Sequence, residues 1–172
     1  TNVNKTKNGS IINCDWYNVT LKDVDGNTTG MASLVEDITE KIDSKNQIEK
    51  SEKKYRQIFE KSIDAVFVLN NGIFIEGNEA AVKLFGFKTK NDLLKISPSE
   101  ISPEKQPNGK SSFEESNKMI DIAIEKGFHR FVWYHKTVTG KVFPAEVTLT
   151  KIEEFSNAIS IHAVVKDITD RV

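Results

Sequence analysis

Apolar positions along this chain recur at two different periods, and each change of period marks a boundary between elements. In residues 128–137, Phe131, Trp133 and His135 fall on one face of a two-residue alternation. Residues 142–152 repeat the pattern with Phe143, Ala145, Val147 and Leu149, and residues 159–168 with Ile159, Ile161, Ala163 and Val165. These segments predict three strands. Earlier, Ala65-Val66-Phe67-Val68-Leu69 has the character of a buried strand, Asn70-Asn71-Gly72 of a turn, and Ile73-Phe74-Ile75-Glu76 of the returning half of a hairpin. Between the two groups the pattern turns helical. Asn78 suits the N-cap of a short helix through Ala80, Ala81, Leu84 and Phe85 that stops at Gly86. Ser112-Phe113-Glu114-Glu115 fits a capping box, with Phe113, Ile120 and Ile124 on one face and Gly127 as the stop. Residues 89–110, which hold Pro98, Pro103 and Pro107, read as irregular. Two strands, helices, then three strands predict an α+β fold: a five-stranded antiparallel sheet with helices on one face.

Upstream, residues 10–21 and 30–38 read as two strands around a turn with an Asp25-Gly26 signal. Two strands are marginal alone, so this hairpin is expected to be disordered or to pair with another chain. Residues 39–61 hold no Gly or Pro and are dense in Lys and Glu. Ile48 and Tyr55 lie one heptad apart, and Ile58 and Phe59 continue the stripe. We expect a helix of about 20 residues, roughly 30 Å long, that pairs with its twin in a homodimer through this stripe, with the open sheet face as a second contact.

The tripeptide Asp-Ile-Thr occurs twice, at Asp37-Ile38-Thr39 and Asp167-Ile168-Thr169, each after an apolar strand and before charged residues. Polar turns, Thr6-Lys7-Asn8-Gly9 and Thr137-Val138-Thr139-Gly140, open the two segments that lead there. One module therefore occurs once whole and once as its tail. The domains predicted are residues 1–40, the C-terminal hairpin of an upstream module; 41–61, a helical connector; and 62–172, a complete module. Starting without Met in mid-repeat, the chain reads as part of a longer protein.

Bulk properties narrow this further. Lys and Arg number 24 against 25 Asp and Glu in 172 residues, which leaves no basic footprint for nucleic acid. No apolar run is long enough to span a bilayer, and no secretory signal is present, so no direct membrane contact is expected of this segment. A lone Cys14 permits no internal disulfide and suits a reducing, cytoplasmic location. The Asn-x-Ser/Thr triplets at Asn8, Asn18 and Asn27 are then read as chance.

Three segments carry a resemblance to a known family. They are Gly77-Asn78-Glu79-Ala80-Ala81-Val82-Lys83-Leu84-Phe85-Gly86-Phe87, Thr139-Gly140-Lys141-Val142-Phe143-Pro144-Ala145-Glu146-Val147, and Val165-Lys166-Asp167-Ile168-Thr169-Asp170-Arg171. In order and spacing they resemble a PAS domain, the small sensor module of signalling proteins, over residues 59–172. Residues 10–40 resemble the last strands of a preceding PAS domain, so PAS modules in tandem are implied. The resemblance implies a sensory module of a multidomain protein such as a sensor histidine kinase, binding a small ligand in its core; the alternative is a ligand-free dimerisation or spacer module.

By position in that family, the ligand would be lined by Leu84, Phe113, Ile120 and Ile124 from helices, and by Phe131, Trp133, His135, Phe143, Ala145, Val147, Ile161 and Ala163 from strands. Trp133 and His135 stand out because each puts a polar atom on an apolar face and requires a partner. No cofactor is evident. Haem is disfavoured because residues 113–126 hold no His, Cys or Tyr, and an adduct-forming flavin because the one cysteine lies in the N-terminal hairpin. His129 and His135 lack the further ligands a metal needs. No phosphate loop, nucleophile motif or carboxylate pair supports an enzyme. Thr39 and Thr169 are expected to cap the helices that follow them, with Asp37 and Asp167 near the positive helix ends. In the family this junction relays changes in the sheet to the outgoing helix.

Overall fold

Residues 2–37 form a three-stranded antiparallel sheet in the order β1-β2-β3, built from β1 (Asn2–Lys5), β2 (Ile11–Lys22) and β3 (Thr28–Asp37). The expected hairpin is β2 and β3; β1 was not legible because Asn2-Val3-Asn4-Lys5 offers a single apolar residue. It pairs with β2 from Asn2 opposite Cys14 to Lys5 opposite Ile11. A third strand gives this segment an ordered sheet of its own, which corrects the expectation of disorder. Cys14 is buried, whereas Trp16, Val19, Leu34 and Val35 are exposed.

Helix α1 (Thr39–Lys61) runs for 23 residues, about 35 Å at 1.5 Å per residue. It crosses the boundary between two compact units, Thr1–Tyr55 and Arg56–Val172. The connector is thus not a third body. This computed structural model describes residues 1–153 and 159–171; Val172, the last residue of the predicted C-terminal module, lies outside them. Among the described residues no helix is long and apolar enough to cross a membrane.

In the second unit, β4 (Ala65–Asn70) and β5 (Ile73–Gly77) form the predicted hairpin. Its turn places Asn71 at φ 49° and Gly72 at φ 76°, the paired positive φ of a type I′ turn. Helix α2 (Glu79–Phe85) starts at Asn78 and ends at Gly86, whose φ of 78° closes the helix in the left-handed region. Within the stretch read as irregular, α3 (Lys90–Leu93) makes one turn, its start held by the Asp92 carboxylate accepting from the Thr89 amide and hydroxyl at 2.9 Å each. Helix α4 (Ser112–Lys126) precedes β6 (Phe128–Lys136), β7 (Val142–Glu153) and β8 (Ile159–Asp167), and the turn of 3-10 helix Thr169–Arg171 follows. The sheet is antiparallel throughout in the order β5-β4-β8-β7-β6. It is the five-stranded α+β arrangement the alternation predicts. Phe67, Phe85, Leu93, Trp133, Val147 and Ala163 are among the residues of one continuous core.

Two polar groups make this packing specific. Asn78 is fully buried and its side chain makes four hydrogen bonds. Oδ1 accepts from the amides of Val66 (3.0 Å) and Ala81 (2.9 Å), and Nδ2 donates to the carbonyls of Phe59 (3.0 Å) and Asp64 (3.1 Å). At the β6 edge, the Gln106 side chain pairs with the backbone of Tyr134: Oε1 accepts its N–H at 3.0 Å and Nε2 donates to its carbonyl at 3.1 Å. The Lys136 amide donates to Ile101 at 2.9 Å. The loop between α3 and α4 therefore covers an edge that would otherwise present unpaired backbone groups.

Candidate functional site

Between α4 and the sheet lies a cavity of about 40 Å³. Helix α4 contributes Ser116 with Met119 and Ile120, which follow it by three and four residues and so lie over the same face. Strand β6 supplies Phe131, Trp133 and His135 by its two-residue alternation, and β7 and β8 supply Val147, Leu149, Ala163 and Val165. Phe67, Leu69 and Phe74 close one side; Pro98 and Ile101 of the loop close another.

Polar atoms are few and nearly all are engaged. Trp133 Nε1 donates to Ser102 Oγ at 2.9 Å, and Ser102 Oγ donates to the Pro98 carbonyl at 2.7 Å. Ser116 Oγ donates back to the Phe113 carbonyl at 3.1 Å. His135 Nδ1 lies 3.1 Å from the Ile101 carbonyl, which can only accept, so Nδ1 carries the proton. Nε2 of the same ring is buried and meets no hydrogen-bond partner among the described residues. Burial pushes the His135 pKa from 6.5 down to about 4, against the opposing pull of the Ile101 hydrogen bond. The ring is therefore neutral at physiological pH. Phe85 meets it edge-on at 5.1 Å, and Phe143 lies tilted at 5.9 Å.

Of the residues assigned to a ligand, Ile120, Phe131, Trp133, His135, Val147 and Ala163 line the cavity. Phe113 is corrected outward: it is 62% exposed. The buried face of α4 starts at Ser112, and the next residue lies about 100° round the helix. The predicted capping box fails for the same reason. Ser112 lies inside the helix, with its hydroxyl given to the Pro103 carbonyl at 2.5 Å, while Glu115 pairs with Lys118 at 3.0 Å. Leu84 is half-buried against the core from α2, away from the cavity. Phe143 and Ala145 are buried beyond its end, nearer the Asp167 junction. Ile124 and Ile161 line a different opening, with Leu69, Gly72 and Ile120. Sequence reasoning missed Phe67, Leu149 and Val165, although the strand alternation already placed Leu149 and Val165 on inward faces and Phe67 lay in a strand read as buried. Pro98 and Ile101 come from an irregular segment with no period to reveal them.

The two Asp-Ile-Thr junctions have the same local geometry. Asp37 Oδ1 accepts from Thr39 N at 3.0 Å and Thr39 Oγ1 at 2.6 Å; Asp167 Oδ1 accepts from Thr169 N at 2.8 Å and Thr169 Oγ1 at 2.6 Å. The aspartates, not the threonines, supply the capping oxygen. This corrects the expected roles of Thr39 and Thr169, whose hydroxyls are spent on the carboxylates. The Ile38 amide donates to Asn13 and that of Ile168 to Pro144, at 2.8 and 3.1 Å. Opposite the aspartates stand Cys14 and Ala145. Both polar turns close through a glycine with φ near +90°, Gly9 onto Thr6 and Gly140 onto Thr137. The repeat read from the sequence is thus repeated in backbone geometry, and in the first unit it includes β1.

On α1, Ile48, Tyr55 and Ile58 are exposed, whereas Phe59 is 4% exposed. Phe59 is corrected out of the dimer stripe: it faces the core beside Asn78, about 100° from Ile58. The His129 ring stacks on Phe131 at 5.0 Å and its Nε2 lies 3.2 Å from Met119 Sδ. No group of metal-ligating side chains occurs among the described residues.

A five-stranded sheet, a buried Asn at the mouth of α2 and a cavity under the long helix define a sensor-type α+β module. Residues 63–170 match the PAS domain family, and the chain belongs to that family. Over 54 residues it is 41% identical to sporulation kinase E of Bacillus subtilis (strain 168), a match covering 31% of this chain and 7% of that kinase's length. Its fold is similar to the PAS domain of an HTR-like protein from Haloarcula marismortui, with a TM-score of 0.60 and 18% identity over 73% of this chain and 98% of that one. It is also similar to the PAS domain of a LuxR-family transcriptional regulator from Burkholderia thailandensis in complex with ethanol. There the TM-score is 0.53 at 17% identity, over 66% of this chain and 96% of the other.

Proposed function

We propose that this PAS sensor domain belongs to a sensor histidine kinase. In this reading a small guest in the cavity between α4 and the sheet biases the Asp-Ile-Thr junction and, through it, a helical connector. The cavity is the observation that carries the reading. Its lining joins α4 to all five strands of the sheet, and β8 runs from Ala163 and Val165 directly into Asp167. A guest that fits one arrangement of these elements better than another shifts the equilibrium by that difference in affinity. The kinase relative supports the parent class, and the ethanol-bound neighbour supports a guest of a few atoms. The repeated junction supports tandem PAS modules, with residues 1–40 as the tail of the first. Exposed Ile48, Tyr55 and Ile58 support pairing of two copies through α1; the sedimentation of the wild type against Ile48→Lys checks it.

The volume favours a second reading, a spacer without ligand. About 40 Å³ is far below the roughly 150 Å³ of a cavity that takes up benzene. NMR of the labelled chain under xenon pressure separates the two. The sensor reading expects shifts at Ile120 and Leu149 together with shifts at Asp167–Arg171. Cavity shifts that stop short of the junction remove the relay, and no shifts at all leave the spacer.

A further inference from the structure

We infer that the cavity under α4 is a dry site for a small apolar gas, a molecule of about two heavy atoms with no hydrogen-bond donor or acceptor. Dioxygen and the two-carbon hydrocarbons share that character. The inference rests on the guest-binding reading above and names the class of guest. Its ground is the wall. Almost all the surface facing the space is carbon, supplied by side chains such as Leu69, Phe131, Val147, Leu149 and Ala163. The heteroatoms of the lining side chains are turned to other partners. Trp133 Nε1 donates to Ser102, Ser116 Oγ donates to Phe113, and Met119 Sδ lies 3.2 Å from His129 Nε2. His135 Nδ1 donates to Ile101, and its Nε2 is closed off in a ring packed against Phe85 and Phe143.

Polarity, not size, keeps water out. About 40 Å³ is room enough for one water, but a buried water needs two to four polar partners, and the described residues of the wall offer none. Size then sets the guest. A cavity of roughly 150 Å³ takes up benzene, so about 40 Å³ holds about two heavy atoms in proportion. An anion finds no cation in the lining. An alcohol must give up its hydrogen bonds to water and bury its hydroxyl unpaired. A molecule without polar atoms loses nothing on entry, and it restores the dispersion contacts that Met119, Ile120, Val147 and Ala163 lack across an empty space.

The test uses NMR of the whole methyl-labelled chain and three probes: ethane, methanol and dioxygen. Ethane and methanol are the same size, but only methanol carries a hydroxyl. Ethane under pressure should shift the methyl groups of Ile120 and Leu149 and bind about tenfold or more tightly than methanol. Dioxygen, being paramagnetic, should broaden the Leu149 methyls more than those of Val66, which is as buried but lies outside the lining. Ala163→Val, which adds two methyl groups to the wall, should abolish the ethane shifts. Methanol binding as tightly as ethane overturns the inference and leaves guest binding standing. Ethane shifts that survive in a folded Ala163→Val place the guest elsewhere and overturn it as well. Silence from all three probes removes both the inference and the guest. The wild-type comparison decides even where the variant fails to fold. Selective broadening by dioxygen supports the inference with a diatomic occupant; ethane shifts with uniform broadening support it with a hydrocarbon.

Discussion

The side-chain amide of Asn78 donates to the carbonyl oxygen of Phe59 at 3.0 Å, tying the last turn of α1 to the start of α2. The same side chain holds Val66 and Asp64, so one residue joins the incoming helix, the first strand of the domain and the next helix. Asn78→Ala removes a helix cap and leaves buried backbone groups unpaired. It should cost about 2–4 kcal/mol in urea unfolding. A loss below about 1 kcal/mol would mean that water satisfies these groups and that Asn78 acts as an ordinary cap.

Acid should destabilise the domain through His135. Its pKa falls from 6.5 in the unfolded chain to about 4 in the fold, chiefly because burial disfavours the imidazolium. The unfolded state therefore binds more protons between these values. The contribution is fully present above about pH 6.5 and is lost as the pH falls towards 4, by up to about 3 kcal/mol. Half-burial lowers the His162 pKa as well, with the same sign. Urea midpoints measured from neutral pH into this range should fall, and less steeply in His135→Gln. A flat profile contradicts a neutral, buried His135.

The Asp37 carboxylate should hold the first turn of α1. Hydrogen bonds from the Thr39 hydroxyl and then the Thr39 amide lower its pKa below 3.8. Its contribution is accordingly present above the unfolded carboxylate pKa and lost as the pH falls through the lowered value. Asp37→Ala should accelerate hydrogen exchange at the Thr39 amide and fray the helix start, while amides of β7 and β8 keep their protection. Unchanged exchange at Thr39 would show that the strand-to-helix junction is held by the Ile38–Asn13 bond instead.

Gly77 is required by space, not by backbone conformation. A Cβ there would stand 2.6 Å from Leu93 Cδ2 and 3.6 Å from Phe67, and Leu93 is fully buried. Gly77→Ala should destabilise by about 1–3 kcal/mol through overpacking. Leu93→Val in the same background should recover part of the loss. If it recovers nothing, the strain lies in the backbone at the end of β5.

Much of the fold was legible because strands and helices of this domain have one buried face each. The alternation at Trp133 and His135, the Asn71-Gly72 turn and the Asn78–Gly86 helix are all local patterns. The site was legible to the extent that it lies on those faces: Phe131, Trp133, His135, Val147 and Ala163 line the cavity as assigned. Phe113 and Phe59 were misplaced because helical spacing fixes relative angles but not which angle meets the sheet. Strand β1 and Ile101 had no periodic signal; β1 owes its place to pairing with β2 across the Thr6–Gly9 turn, and Ile101 to a hydrogen bond with His135, remote in the chain.

The chain's own pattern therefore dictated the order of elements, the repeated Asp-Ile-Thr junction and the resemblance to PAS domains, since each depends on neighbours within a few residues. It also marked His135 as a polar atom needing a partner. Only the tertiary structure decided that one nitrogen of that ring is spent on Ile101 and the other buried without a partner, and that the core keeps a cavity of about 40 Å³. Hydrogen-bond satisfaction and empty volume depend on which remote segments meet, and periodicity carries no record of that.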